Sequence, residues 1–185
     1  MSKEIIFGGE KINYLEQFNP LQYTLSPSGT RIKAIVDKTT QDGTGVTPHK
    51  RRNEISFRNG ADYNYSFKLS VYGSQKNEIA NLWQIKTKGE KYPRISLGVK
   101  RVDNKNKLAY KIGSRDSEII NETANVYLIT VNCKTGELFV NGKRIAKFHS
   151  YSDENTITKF GIEADKDCVD CAITAIYTDI KLTKK

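Results

Sequence analysis

Residues 49–73 read HKRRNEISFRNGADYNYSFKLSVYG, and their alternation decides the fold class. In an extended strand successive side chains point to opposite faces. Tyr65, Phe67, Leu69 and Val71 then share one face, with Ser66, Lys68 and Ser70 on the other. Upstream, Arg52, Glu54, Ser56 and Arg58 share a face while Ile55 and Phe57 point away. Both halves read as strands that are apolar on one side and charged or polar on the other. A face patterned Arg-x-Glu-x-x-x-Arg needs an explanation.

The same pattern runs outward in both directions. YTLSPSGTRIKAIVD (23–37) alternates around a turn at Pro27-Ser28-Gly29. IANLWQIKT (79–87), RISLGVKR (94–101), KLAYKIG (107–113), NVYLITVNC (125–133), ELFVNGKRI (137–145), TITKFGIEA (156–164) and AITAIYTDIKL (172–182) follow at short intervals. Asn141-Gly142 is the strongest hairpin signal, because both residues tolerate positive φ. No stretch longer than ten residues keeps apolar spacing at i, i+3, i+4 and i+7. KINYLEQF (11–18) and SEIINETAN (117–125) are the two candidates for a helical turn. Many short strands divided by turn residues indicate an all-β antiparallel sandwich or barrel. With no repeat or composition break, residues 1–185 read as one domain, and TTQDGTGVTPHKRR (39–52) as a mobile polar loop within it. Phe67, Trp83, Leu97, Phe160, Ile162 and Ile176 are the expected inter-sheet core.

The chain of 185 residues carries a formal charge of +9 with 37% hydrophobic residues, which favours an anionic partner. Its basic residues are dispersed over many strands without a nucleic-acid-binding signature, so nucleic acid is the disfavoured partner. No apolar run approaches the roughly 20 residues that span a bilayer, and the first twenty residues hold no signal-peptide core. The expectation is a protein that works where it is made or leaves with a particle such as a virion. Cys133, Cys168 and Cys171 are too few and odd in number for a disulfide framework. The CxxC pair in DKDCVDCAI (165–173) lacks the four ligands of a structural zinc site, so it reads as reduced thiols or a tight-turn disulfide. His49 and His149 read as incidental surface histidines. Neither a metal nor a cofactor is called for.

In order and spacing, RRNEISFR, YNYSFKLSVYG, LWQIKTKGEKYPRISLGV, VNCKTGELFVNGKRIAKF, ITKFGIEADK and AIYTDIKL resemble the jelly-roll polysaccharide lyases. These are the alginate lyases and heparin-lyase-like enzymes, and the likeness runs from about residue 51 to 182. It implies a two-sheet jelly-roll sandwich of the concanavalin, lectin–glucanase type, with an acidic polysaccharide as partner. An Arg-x-Glu strand, a Gln-x-His strand and a Lys-x-Gly-x-Tyr strand line one concave groove in that family. By resemblance Arg52 and Glu54 take the first set, Gln84 the second, and Lys159 with Gly161 the third. Parity agrees: Gln84 and Lys86 lie opposite Trp83 and Ile85, and Lys159 with Glu163 opposite Phe160 and Ile162. The expected ligand-binding set is Arg52, Glu54, Arg58, Gln84, Lys86, Lys159 and Glu163. The plainer alternative is a solvated face bearing weak cross-strand ion pairs.

The match departs from the family where chemistry needs it. Elimination next to a uronate carboxyl requires a carboxylate neutraliser, a base for the proton and an acid for the 4-linked oxygen. Lys86 stands where the family has His, Glu163 where it has Tyr, and Ser56 where it has a second Arg. Lys86 serves as base if its pKa is lowered, with Tyr110, Tyr92 or Tyr177 replacing the lost acid. Otherwise Lys86 and Glu163 pair as a salt bridge across a groove that only binds, or does nothing. The expectation is a binding jelly roll with catalysis lost or altered. An active lyase, a structural or virion-associated protein and a nucleic-acid binder are the alternatives.

Overall fold

The computed structural model describes residues 3–40, 50–74, 79–149, 155–165 and 172–185. Most of the 39–52 loop, His49 and both cysteines of the CxxC pair lie outside these residues. The strands are β1 (Lys3–Phe7), β2 (Glu10–Gln17), β3 (Tyr23–Leu25), β4 (Ile32–Val36), β5 (Lys50–Arg58), β6 (Tyr63–Ser74), β7 (Ala80–Thr87), β8 (Ile95–Val102), β9 (Lys105–Lys111), β10 (Glu118–Ile119), β11 (Tyr127–Asn132), β12 (Glu137–Val140), β13 (Lys143–Lys147), β14 (Thr156–Asp165) and β15 (Ala172–Lys184). One 3₁₀ turn, Gly60–Asp62, joins β5 to β6. The two proposed helical turns are not helical. Residues 10–17 form β2, and Glu118–Ile119 form β10.

The strands make two antiparallel sheets. One runs β1-β2-β5-β14-β7-β8-β9-β10 and the other β13-β12-β11-β6-β15-β4-β3. Their apolar faces meet in a core of aromatic rings. Phe160 lies 5.2 Å from Phe67, 5.3 Å from Phe7 and 5.7 Å from Tyr177, ring centre to ring centre. Trp83, Phe67, Leu97, Phe160 and Ile162 are all buried there. Ile176 is not: it lies half-buried on the outer face, while its neighbours Ala175 and Tyr177 point inward. Tyr177 holds the inward register because its hydroxyl donates to the carbonyl oxygens of Leu82 and Gly161. A buried phenol so satisfied costs little and brings a large apolar ring.

Asn141 and Gly142 form the tight turn between β12 and β13, with φ of 52° and 79° flanked by the Val140–Lys143 pair. Both central residues therefore have the positive φ of a hairpin turn whose twist suits the strands. β14 is the strand that positions the site. It sits at the middle of the larger sheet, paired with β5 on one side and β7 on the other. Tyr65 hydroxyl hydrogen-bonds the Thr158 hydroxyl at 2.8 Å, tying the inner face of β14 to the opposite sheet.

Candidate functional site

Residues in direct register across a sheet point to the same face. One row across the outer face of the larger sheet runs Leu15, Ser56, Lys159, Gln84, Ser96 and Lys111, from β2 to β9. Arg58, Ile157 and Lys86 form a row on one side of it. Arg52, Glu163 and Asn81 form another on the far side. All seven expected ligand-binding residues therefore share one face of one sheet.

The charges on this face are paired unevenly. Glu54 is 1% exposed and its carboxylate takes the Lys159 ammonium at 2.7 Å. Arg52 Nε stands 4.0 Å from Glu54 and 3.0 Å from Glu163 Oε2, the latter an ion pair rather than an aligned hydrogen bond. Glu163 also lies 3.9 Å from Lys159 Nζ. Burial pushes the Glu54 carboxyl above the usual range, against the pull of Lys159 and with a further push from Glu163. Gly161 makes the cluster geometrically feasible. It faces Glu54 in register at φ 135°, and a Cβ there would meet the Asn53 carbonyl oxygen at 2.2 Å and Glu54 Cβ at 2.8 Å.

Lys86 is not part of this network. Among the described residues it makes no ion pair, and the expected Lys86–Glu163 bridge does not form. Lys86 faces Ile157 whereas Glu163 faces Asn81, six residues further along β14. Burial lowers the Lys86 pKa, Lys159 and Arg52 lower it further, and Glu163 and Glu54 oppose them. Beside it Gln84 is 4% exposed, and its amide makes no hydrogen bond among the described residues. The Ser96 hydroxyl, next along the row, is buried without a hydrogen-bond partner. A buried polar group left without a partner costs on the order of 1–3 kcal/mol, and among the described residues the Ser96 hydroxyl is such a group.

The three tyrosines considered as acids separate clearly. Tyr110 is in register with Leu97, a core residue, and so points to the inner side of the sheet, away from Lys86. Its hydroxyl donates to Glu118 at 2.6 Å, and that bond pushes the phenol up to about 12. Tyr177 is buried between the sheets. Tyr92 is 38% exposed, and its ring lies 5.2 Å from the ammonium groups of both Lys91 and Lys111. Lys111 belongs to the central row, so Tyr92 sets its ring against a side chain of the candidate face. His149 is exposed beside Tyr92 and Arg94.

No protein-family model matches the chain. No curated protein matches it in sequence. Solved structures do resemble it. An alginate lyase from Corynebacterium has a TM-score of 0.64 at 11% identity, over 98% of this chain and 92% of that one. One from Pseudomonas aeruginosa has a TM-score of 0.62 at 12% identity, over 100% and 97%. One from Alteromonas has 0.63 at 8% identity, over 93% and 94%. The fold is the alginate-lyase jelly roll. At such low identities the likeness establishes the architecture of the jelly roll and not the chemistry of its face.

Sequence reasoning missed one end of that face. Lys11, Asn13 and Leu15 of β2 join Ser56, Arg58, Asn59, Lys88 and Asn155 around a cavity of about 710 Å³. The signal was present: in GEKINYLEQ the buried Ile12 and Tyr14 alternate with exposed Lys11, Asn13 and Leu15. Alternation of period two marks a strand rather than a helical turn.

Proposed function

We propose that the outer face of the larger sheet binds an acidic polysaccharide of the uronate class and that catalysis by elimination is lost. The observation that carries this reading is the uncommitted strip of Lys86, Gln84 and Ser96, in line with a second basic region around Arg58, Lys11 and Lys88. A chain of sugars threads such a strip, with carboxylates meeting the ammonium and amide donors. Arg52, the fork best matched to a carboxylate, is already opposed by Glu163. Among the described residues, no tyrosine that reaches this face stands next to Lys86 in the strand register. Neutralisation and acid catalysis are therefore both weakened, and positioned acid–base groups are worth about 10²–10⁴-fold each.

One observation favours a second reading, an active lyase. Lys86 has a lowered pKa, no ion pair among the described residues and Gln84 two residues away. Its neutral amine would take the proton beside the carboxyl while the C–O bond to the 4-linked oxygen breaks, a C=C bond forms and an acid protonates the departing oxygen. The two readings separate in one experiment. Polymannuronate is added to the protein while binding is followed by calorimetry and elimination by the ultraviolet absorbance of the unsaturated product. Binding with a flat absorbance trace is expected. A steady absorbance rise that Lys86→Ala abolishes would establish the lyase instead.

A further inference from the structure

We infer that Glu163 supplies, from within the chain, the carboxylate that Arg52 and Lys159 would otherwise take from a bound uronate, and so sets how strongly this face holds carboxylated glycans. The inference rests on the binding reading above and deepens it. Among the described residues, Glu54 and Glu163 oppose Arg52 and Lys159, two carboxylates against two cations. The two carboxylates play different parts. Glu54 is 1% exposed beneath Lys159 and acts as the fixed counter-ion of the sheet. Glu163 has 13% of its side chain exposed, as has Arg52, so this contact lies nearer to solvent.

A side-chain carboxylate and a uronate carboxylate present the same planar pair of oxygens to a guanidinium. Glu163 is tethered beside Arg52, and a tethered group competes at an effective concentration that a free ligand reaches only at high levels. A uronate polymer therefore seats on Lys86 and Gln84 and leaves the Arg52 position to the protein's own acid. Removing the charge of Glu163 converts the same face into a tighter carboxylate site with no new residue added.

The test is calorimetric titration with polymannuronate at one fixed salt concentration. Glu163→Gln keeps the shape and removes the charge, and should tighten binding about tenfold, the scale of one charge-assisted contact. Asp179→Asn, on the other sheet, removes an exposed charge that pairs with Lys68 and should change affinity less than about twofold. Adding Arg52→Ala to Glu163→Gln should return affinity to the wild-type level. Unchanged or weaker binding by Glu163→Gln overturns the inference while wild-type binding leaves the function intact. An equal gain from Asp179→Asn also overturns it, since long-range charge would then suffice. Absence of binding by every form overturns both readings. A measurement on the unaltered protein stands apart from any folding defect: polymannuronate should shift the side-chain resonances of Lys86 and leave the Arg52 Nε–H in place. A shift at Arg52 would show that the ligand displaces Glu163.

Discussion

Lys159 holds its ammonium 2.7 Å from the carboxylate of Glu54, a residue 1% exposed in the middle of the larger sheet. Breaking a buried pair from one side strands the other charge, which costs about 3–5 kcal/mol. Lys159→Met should lower stability to urea by that amount, and Glu54→Gln in the same background should recover most of it. A loss below about 1 kcal/mol would mean that Arg52, 4.0 Å away, compensates alone.

The same carboxyl makes stability depend on pH. Glu54 is raised above its ordinary 4.5, chiefly by burial, so the folded form binds its proton more tightly than the unfolded chain does. Stability from this group is full below the unfolded value and falls as pH rises through the folded one. Compared with Glu54→Gln, the wild type should therefore lose ground as pH rises above 4.5 and level off once the folded carboxyl is ionised. Parallel pH profiles of the two proteins would contradict this.

Phe160 packs edge-on against Phe7 and Phe67 and is completely buried. Phe160→Ala should cost about 3–5 kcal/mol in equilibrium unfolding, as large-to-small core substitutions do. Thermal or urea titration reads the effect directly.

Gly161 has φ of 135° and faces Glu54 across the β5–β14 pair. An alanine there is strained in its backbone and meets the Asn53 carbonyl oxygen at 2.2 Å. Gly161→Ala should lose about 1–3 kcal/mol and reduce polymannuronate binding with it. Retained stability would show that the two strands separate easily at this point.

Ligand binding should respond to position and not only to charge. Lys86→Ala should weaken polymannuronate binding well beyond Lys105→Ala, since Lys105 is exposed at the start of β9, at the far end of the sheet from Lys86's row. Binding should also weaken as salt rises, because contacts between exposed charges are screened over roughly 8–10 Å at ordinary ionic strength. Equal losses in the two variants would indicate unspecific attraction to a basic protein.

Much of the architecture is legible in local pattern. The alternation of Tyr65, Phe67 and Leu69, the Asn141-Gly142 turn and the polar face of Arg52, Glu54, Gln84, Lys86 and Lys159 all follow from period-two spacing. Even β2, first read as a helical turn, shows its strand once Ile12 and Tyr14 are seen to alternate with Lys11 and Asn13.

Parity is a property of the single strand, because it depends only on where successive Cβ atoms point. Register is not: it depends on how strands slide past one another and on where extra residues enter. The irregularities in β7 and β14, between Asn81 and Trp83 and between Phe160 and Glu163, are set by the assembled sheet. The shift in β14 sets Glu163 opposite Asn81 of β7, while the unbroken β5–β14 register sets it opposite Arg52. Lys86, opposite Ile157 six residues away, is of the right parity but has no acid partner among the described residues. The choice of Tyr177 over Ile176 for the core has the same origin, since the backbone carbonyls that satisfy its hydroxyl belong to β7 and β14. The alternation of residues determined which face each side chain occupies, and the packed sheets decided which charges on that face are paired with one another.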